Sequence, residues 1–130
     1  MIVDTTFLID IMEKLPEAEE ILNKLSKNGE PLLVTSLSIF ELYTGIIRSQ
    51  NPIKEKNKIL KALQDQVILS LDEKSAEKAG EIDGILIKEG NMLGIIDCMI
   101  AGIAFIKNEK VLTRNIKDFS KIRGLKIETY

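Results

Sequence analysis

The stretch Leu93–Thr113, which reads LGIIDCMIAGIAFIKNEKVLT, decides the fold of this chain. Its first part, from Asp97 to about Lys107, is mostly apolar and long enough to form a buried helix. Its last part, Lys110-Val111-Leu112-Thr113, reads as a short strand. Helices of ten or more residues that alternate with strands are typical of α/β folds with a parallel sheet.

The same alternation of strand-like and helical runs extends to both ends of the chain. Further strands are predicted at Met1–Val3, Pro31–Thr35, Val67–Leu71 and Leu125–Thr129. No repeat, low-complexity segment or linker interrupts the pattern. We therefore predict a single domain, residues 1–130, with a three-layer α/β architecture in which helices cover both faces of a mainly parallel central sheet.

Polar residues mark where two of the helices begin. Thr5 or Thr6 can cap the first helix. Ser36 or Ser38 can cap the helix that follows the second strand. Ser38 and Glu41 also have the spacing of a capping box, in which each side chain bonds a backbone N–H at the helix start.

The composition excludes several classes of function. The chain has 130 residues, no histidine and one cysteine. A Ser-His-Asp triad, a Cys-His pair and a histidine-ligated zinc are therefore impossible, and any hydrolytic chemistry would need carboxylates and a hard cation. The longest apolar run, Cys98–Ile106, is far shorter than the ~20 residues that span a bilayer. With no secretory signal visible, we expect a cytoplasmic protein without a membrane partner.

Three carboxylates stand in apolar segments where a folded chain rarely places an unpaired charge. They are Asp4, Glu41 and Asp97, and none has a lysine or arginine within three residues. Removing water from an unpaired charge costs several kcal/mol or more. A cation shared by the three residues would explain them with a single cause. The sequence therefore points to a metal site built from oxygen ligands, which suits Mg²⁺ or Mn²⁺ better than zinc.

These residues can meet at one edge of the predicted sheet. In an open α/β sheet, ligands bind at the carboxyl ends of the strands. Asp4 comes directly after the first strand, and Glu41 lies one turn into the helix after the second. Thr113, Asn115 and Asp118 follow the strand near the end of the chain.

Each acidic residue also has an ordinary explanation. Asp4 and Asp97 could be helix caps, Glu41 could belong to a capping box or face solvent, and Asp118 could be a turn residue. Four separate explanations are then needed, whereas one site accounts for all of them.

The segment from Lys107 to Lys126 is locally basic, although the chain carries a net charge of −2. It contains seven basic residues against two acidic ones, Glu109 and Asp118. Such a segment is typical of a nucleic-acid contact or of a solvated polar face, and the sequence leaves both possibilities open.

Four motifs, in order along the chain, carry a family resemblance that covers nearly all of it. They are Asp4-Thr5-Thr6, Glu41-Leu42 with Gly45, Asp97-x-x-Ile100-Ala101, and Thr113-Arg114-Asn115-x-x-Asp118-Phe119. The ordered set resembles the PIN-domain ribonucleases, and the short single-domain form resembles VapC-type toxins of toxin–antitoxin pairs. The resemblance implies cleavage of single-stranded or structured RNA, with a cognate antitoxin and a homodimer or higher homo-oligomer as further partners.

The resemblance also implies a role for each site residue. Asp4, Glu41 and Asp97 would hold Mg²⁺ or Mn²⁺, directly or through water. Asp118 or Asn115 would orient a water or a second ion. The threonines would bond the carboxylates or a phosphate oxygen, and two basic residues would neutralise the RNA backbone. The threonines are Thr5, Thr6 and Thr113, and the basic residues are Arg114 and Lys117.

Asn115 departs from the family pattern, because many members have a fourth acidic residue at this position. Asp118, one helical turn on, is expected to compensate. The departure keeps open a catalytically impaired PIN-like binding module. A phosphoaspartate receiver-like domain is a further alternative, but the chain lacks the acidic pair after the first strand that a receiver needs. A haloacid-dehalogenase-like phosphatase needs Asp-x-Asp, and the chain has Asp4-Thr5-Thr6.

Overall fold

The computed structural model describes all residues from 1 to 130, with five short strands and seven helices. The strands are β1 (Ile2–Val3), β2 (Leu33–Thr35), β3 (Val67–Leu69), β4 (Val111–Leu112) and β5 (Ile127–Glu128). The helices are α1 (Thr5–Met12), α2 (Pro16–Lys27), α3 (Ser36–Arg48), α4 (Pro52–Leu63), α5 (Glu73–Lys88), α6 (Ile95–Lys107) and α7 (Ile116–Phe119). The strand predictions hold in number and order, and each of the five strands is shorter than the sequence indicated.

The five strands form one sheet in the order β3-β2-β1-β4-β5, and every neighbouring pair is parallel. The register places Ile2 beside both Leu33 and Val111. From β1 the chain first builds the sheet on one side, with β2 and β3, and then on the other side, with β4 and β5. Such a switch point, here between β1 and β4, opens a crevice at the carboxyl ends of the two strands. A receiver-type sheet has the order 2-1-3-4-5. The receiver-like alternative is therefore wrong.

Alternation along the strands divides the core into two clusters, one on each face of the sheet. Val3 and Leu112 point to the face covered by α1, α2, α3 and α4. Ile2 and Val111 point to the opposite face, covered by α5 and α6. Side chains of successive strand residues point to opposite faces of the sheet. Two apolar residues in succession therefore mark a strand that is covered on both faces. The predicted three-layer architecture is confirmed, and no helix has the length and apolar content needed to cross a membrane.

The helix starts differ from the predictions in a way that matters for the site. The cap of α1 is Asp4, whose Oδ1 accepts from Phe7 N at 2.8 Å. The cap of α3 is Thr35, whose hydroxyl accepts from Ser38 N at 3.2 Å. The predicted threonine and serine caps are wrong by one to three residues, and no capping box joins Ser38 to Glu41.

Helix α6 packs closely against α5, and this fixes the helix that carries Asp97. At Gly102 an added Cβ would lie 2.5 Å from the carbonyl oxygen of Ser75 and 2.8 Å from Cβ of Ala79. No real side chain fits at that distance. Glycine at this position therefore permits the close approach of the two helices.

Candidate active site

A hydrogen bond between Thr113 and Asp4 joins the carboxyl ends of β1 and β4 at the switch point of the sheet. Thr113 follows β4, and its Oγ1 donates to Oδ2 of Asp4 at 2.5 Å. Asp4 follows β1 and is only 3% exposed. Burial raises the pKa of Asp4, the bonds from Thr113 and Phe7 offset part of this rise, and the charges of Asp10 and Glu41 add to it. Asp4 is thus both the cap of α1 and a buried acid at the ligand-binding edge.

A row of hydroxyls orients Glu41. Thr5 Oγ1 lies 2.6 Å from Oε1 of Glu41 and 3.0 Å from Oγ of Ser38. A hydroxyl has a single proton, so Thr5 donates to the carboxylate and accepts from Ser38. Ser38 is fully buried and lies 3.5 Å from the hydroxyl of Thr35. Thr5 and Ser38, which the sequence suggested as caps, instead connect the core to Glu41, and Thr5 makes the carboxylate bond that the resemblance implied.

Asp97 lies in the first turn of α6, after the cap residue Gly94. Its carboxylate does not cap the helix and takes part in none of the hydrogen bonds of the structure. The capping explanation of Asp97 is therefore wrong. Burial, followed by the charges of Glu41, Asp4 and Asp118, raises the pKa of Asp97 from 3.8 to about 6.

Asp118 is held by two donors in and beside α7. Oδ2 accepts from Asn115 Nδ2 at 2.8 Å, and Oδ1 lies 3.1 Å from Lys121 Nζ. The bond from Asn115 and then the bond from Lys121 lower the pKa of Asp118. Its carboxylate is therefore fixed in the charged form at the edge of the site.

The acidic residues are near enough to influence one another's charge, but they do not enclose a metal site. Every charge that acts on Asp97 is another acid of the predicted set. No group of three or more carboxylates lies close enough together to enclose an ion in this arrangement. The donor set is nevertheless all oxygen, and mutual repulsion disfavours the fully charged state. In the chemistry of their donors, these residues fit a hard divalent cation.

The remaining predicted residues differ in their surroundings. Thr6 is half-buried on α1 and makes no side-chain hydrogen bond, so its predicted contact with a carboxylate is not formed. Lys117 is exposed on α7 and has no ion-pair partner. Arg114 is exposed, but one of its nitrogens bonds Asp10.

Asp10 is a buried acid of this edge that the sequence interpretation missed. It lies on α1 and is 4% exposed. Its Oδ2 accepts from the hydroxyl of Tyr130 at 2.6 Å, and Arg114 Nη2 lies 3.2 Å from each of its oxygens. The signal was available, since Asp10 interrupts an apolar helix just as Glu41 does.

The model of the PIN domain family matches residues 1–125. This chain belongs to the PIN domain family. The recognition made from the four motifs is confirmed.

Several curated PIN-domain relatives align over nearly their whole length. Ribonuclease VapC2 of Haemophilus influenzae is 28% identical over 127 residues, which cover 98% of this chain and 95% of the relative. The tRNA(fMet)-specific endonuclease VapC of Salmonella typhimurium is also 28% identical, with the same coverage.

Solved structures show the same PIN-domain architecture. VapBC2 of Rickettsia felis, bound to a DNA fragment from its promoter, superposes with a TM-score of 0.90 at 26% identity, covering 99% of this chain and 97% of the other. DNA-bound VapBC of Salmonella typhimurium gives 0.89 at 27% identity, covering 98% and 96%. The predicted fold class is thereby confirmed at the level of the whole chain.

Proposed function

We propose that this PIN-domain protein is a Mg²⁺- or Mn²⁺-dependent endoribonuclease that acts as the toxin of a VapBC-type toxin–antitoxin pair. The observation that carries the proposal is the environment of Asp97. Its carboxylate has no hydrogen-bond partner and is half-buried, and the neighbouring charges that help to raise its pKa are those of Glu41, Asp4 and Asp118. A cation supplied from outside the chain would relieve this repulsion.

The relatives support the substrate and the partner. Proteins that align over nearly all of this chain are named ribonucleases or endonucleases. The similar solved chains come from the VapBC complexes of Rickettsia felis and Salmonella typhimurium. We infer RNA as the substrate and an antitoxin protein as the partner. Self-association stays a prediction from the resemblance.

The residues of the chain divide the work of phosphodiester cleavage. Asp4, Glu41 and Asp97 would hold the ion, which when bound supplies an activated water and offsets charge on the phosphate. Thr113 and Thr5 fix the carboxylates of Asp4 and Glu41 in one orientation each.

The pKa of Asp118 is shifted in the opposite direction from that of Asp97, because Asn115 and Lys121 keep Asp118 charged. A charged carboxylate with its orientation fixed by two donors is suited to orient a water or a second cation toward the phosphate. Asp118 would thus take the place of the acid that Asn115 replaces. This is the observation against a catalytically impaired module.

Cleavage of RNA in Mg²⁺, in Mn²⁺ and in EDTA tests the proposal, with Asp4→Asn, Glu41→Gln and Asp97→Asn compared to wild type. We expect cleavage in either metal, none in EDTA, and loss of activity in each variant without loss of the fold. The three losses should not add, because the ligands act as one unit. Full activity in any two of the variants would refute the assignment. A folded wild type that binds RNA without cleaving it would favour the impaired module.

A further inference from the structure

We propose that Asp10 and Tyr130 are positioning residues that hold Arg114 for contact with a phosphate of the RNA. The inference rests on the proposed function, because it gives the ribonuclease site a substrate contact built from residues on three different segments. Asp10 lies on α1, Arg114 follows β4, and Tyr130 follows β5.

The carboxylate of Asp10 is enclosed and fully occupied. It is buried, although it lies on the same helix as the exposed Ile9. Oδ2 accepts a 2.6 Å bond from the hydroxyl of Tyr130. The ring of Tyr130 packs edge-to-face on Phe7, with centroids 5.0 Å apart at 83°. The ring contact and the hydroxyl bond together fix Tyr130, and Tyr130 in turn fixes one oxygen of Asp10.

Arg114 meets this carboxylate through one nitrogen only. Nη2 lies 3.2 Å from Oδ1 and 3.2 Å from Oδ2 of Asp10, and it is the only guanidinium nitrogen with a protein acceptor. A guanidinium has five N–H donors. The donors on Nε and Nη1 therefore remain free, on a side chain that is 52% exposed.

This geometry differs from that of an arginine whose only role is to neutralise a buried acid. Such a pair usually forms two parallel bonds from two nitrogens. Here one nitrogen serves as the anchor, and the other two have no protein acceptor on a side chain that is about half exposed. A planar edge with free N–H donors is suited to bind phosphate oxygens in a bidentate manner.

The backbone connects this arrangement to the acidic site. Arg114 directly follows Thr113, which donates to Asp4, and Asn115 N donates to Thr113 Oγ1 at 2.9 Å. Arg114 is thus flanked on both sides by residues of the site. Its guanidinium bonds Asp10 and forms no ion pair with Asp4, Glu41 or Asp97. Arg114 therefore leaves the proposed metal site acidic while offering a contact for the substrate backbone.

The direction in which Asp10→Asn changes RNA affinity distinguishes this proposal from a simple effect of net charge. Asp10→Asn changes the net charge from −2 to −1. A less acidic protein should bind RNA more tightly. If Asp10 holds Arg114 in place, the same change should weaken RNA binding, because the guanidinium becomes free to rotate.

The test is salt-titrated binding of a short uncleavable RNA to Asp10→Asn, Arg114→Ala and the double variant. We expect Asp10→Asn to weaken binding several-fold, and Arg114→Ala to weaken it roughly tenfold with a salt slope lower by about 0.7. The double variant should match Arg114→Ala alone. In cleavage assays, KM should rise in all three while kcat changes little.

Two matched variants guard against a purely structural effect. Tyr130→Phe keeps the ring on Phe7 and both charges of the Asp10–Arg114 pair, so it should fold normally and still weaken binding. Glu89→Gln removes the carboxylate of the surface pair with Arg123 and makes the same change in net charge. It should bind RNA at least as well as wild type.

Tighter binding by Asp10→Asn, or losses that add in the double variant, would overturn the proposal. So would wild-type binding by Tyr130→Phe. These outcomes are distinct from failure of the proposed function, which would be a wild type without metal-dependent cleavage. If the wild type cleaves RNA, and Asp10→Asn and Tyr130→Phe bind RNA as tightly as the wild type does, only the positioning role is refuted.

Discussion

Asn115 donates a 2.8 Å hydrogen bond from its side-chain nitrogen to Oδ2 of Asp118. An acid at position 115 would have placed a second negative charge against this carboxylate. The amide instead contributes, together with Lys121, to a lowered pKa of Asp118. The departure from the family pattern therefore comes with a carboxylate three residues further on that Asn115 itself helps to keep charged.

Asp118→Asn should reduce RNA cleavage while RNA affinity is retained. The substitution keeps the shape of the side chain but removes the negative charge that would orient a water or a second cation. The loss in kcat should be roughly a hundredfold, with an unchanged dissociation constant for an uncleavable RNA. Single-turnover cleavage and binding, measured side by side, check this. Equal loss of binding and turnover would mean that Asp118 contacts the substrate instead.

Asp97→Asn should stabilise the metal-free protein at neutral pH. The pKa of Asp97 rises from 3.8 to about 6 in the folded state, so the folded protein binds a proton more tightly than the unfolded chain does. The free energy of unfolding of the wild type therefore falls as pH rises from about 4 to about 6, and the whole penalty is present above pH 6. A rise of this size corresponds to at most roughly 3 kcal/mol.

Urea unfolding in EDTA between pH 4 and pH 8 measures this difference. The two proteins should converge near pH 4 and diverge as pH rises, with the variant more stable. Glu77→Gln, on the exposed face of α5, is the control for loss of one negative charge. Parallel stability curves for wild type and Asp97→Asn at all pH values would contradict the crowding of charges at Asp97.

Mn²⁺ should raise the melting temperature of the wild type by mass action. A ligand at one hundred times its dissociation constant stabilises the folded state by about 2.7 kcal/mol. Asp97→Asn should reduce this response, because the variant lacks one ligand charge and has less repulsion to relieve. Calorimetry at several Mn²⁺ concentrations provides the measurement. An equal response in the two proteins would argue that the acids are four unrelated residues.

The sequence predicted the fold because the information it required is local. Strands β1 and β4 are recognisable from their own apolar residues, and five of the six helices between them exceed ten residues, which favours parallel pairing. The helix cap at Thr35 was harder to predict, since Thr35, Ser36 and Ser38 are all suitable caps. The choice between them depends on where the strand ends.

Asp10 shows why part of the site could not be predicted. Its partners Arg114 and Tyr130 lie 104 and 120 residues further along the chain. No pattern around Asp10 names them, because sheet order alone brings the ends of β4 and β5 beside α1. Asp4 was ambiguous for another reason. The capping and site explanations are compatible, because Oδ1 of Asp4 accepts the cap bond from Phe7 and Oδ2 accepts the bond from Thr113.

Thr5→Val should lower activity by loosening Glu41. Valine has nearly the shape of threonine but lacks the hydroxyl that donates to Oε1 of Glu41 at 2.6 Å. A hydrogen bond to a charged group contributes roughly 1.5 kcal/mol or more, so we expect at least a tenfold loss in turnover and weaker Mn²⁺ binding. Thr5→Ser keeps the hydroxyl and should remain close to wild type. Ser38→Ala, one hydroxyl further from the carboxylate, should lie between the two. If the serine and valine variants lose activity equally, the methyl group of Thr5 matters and its hydroxyl does not.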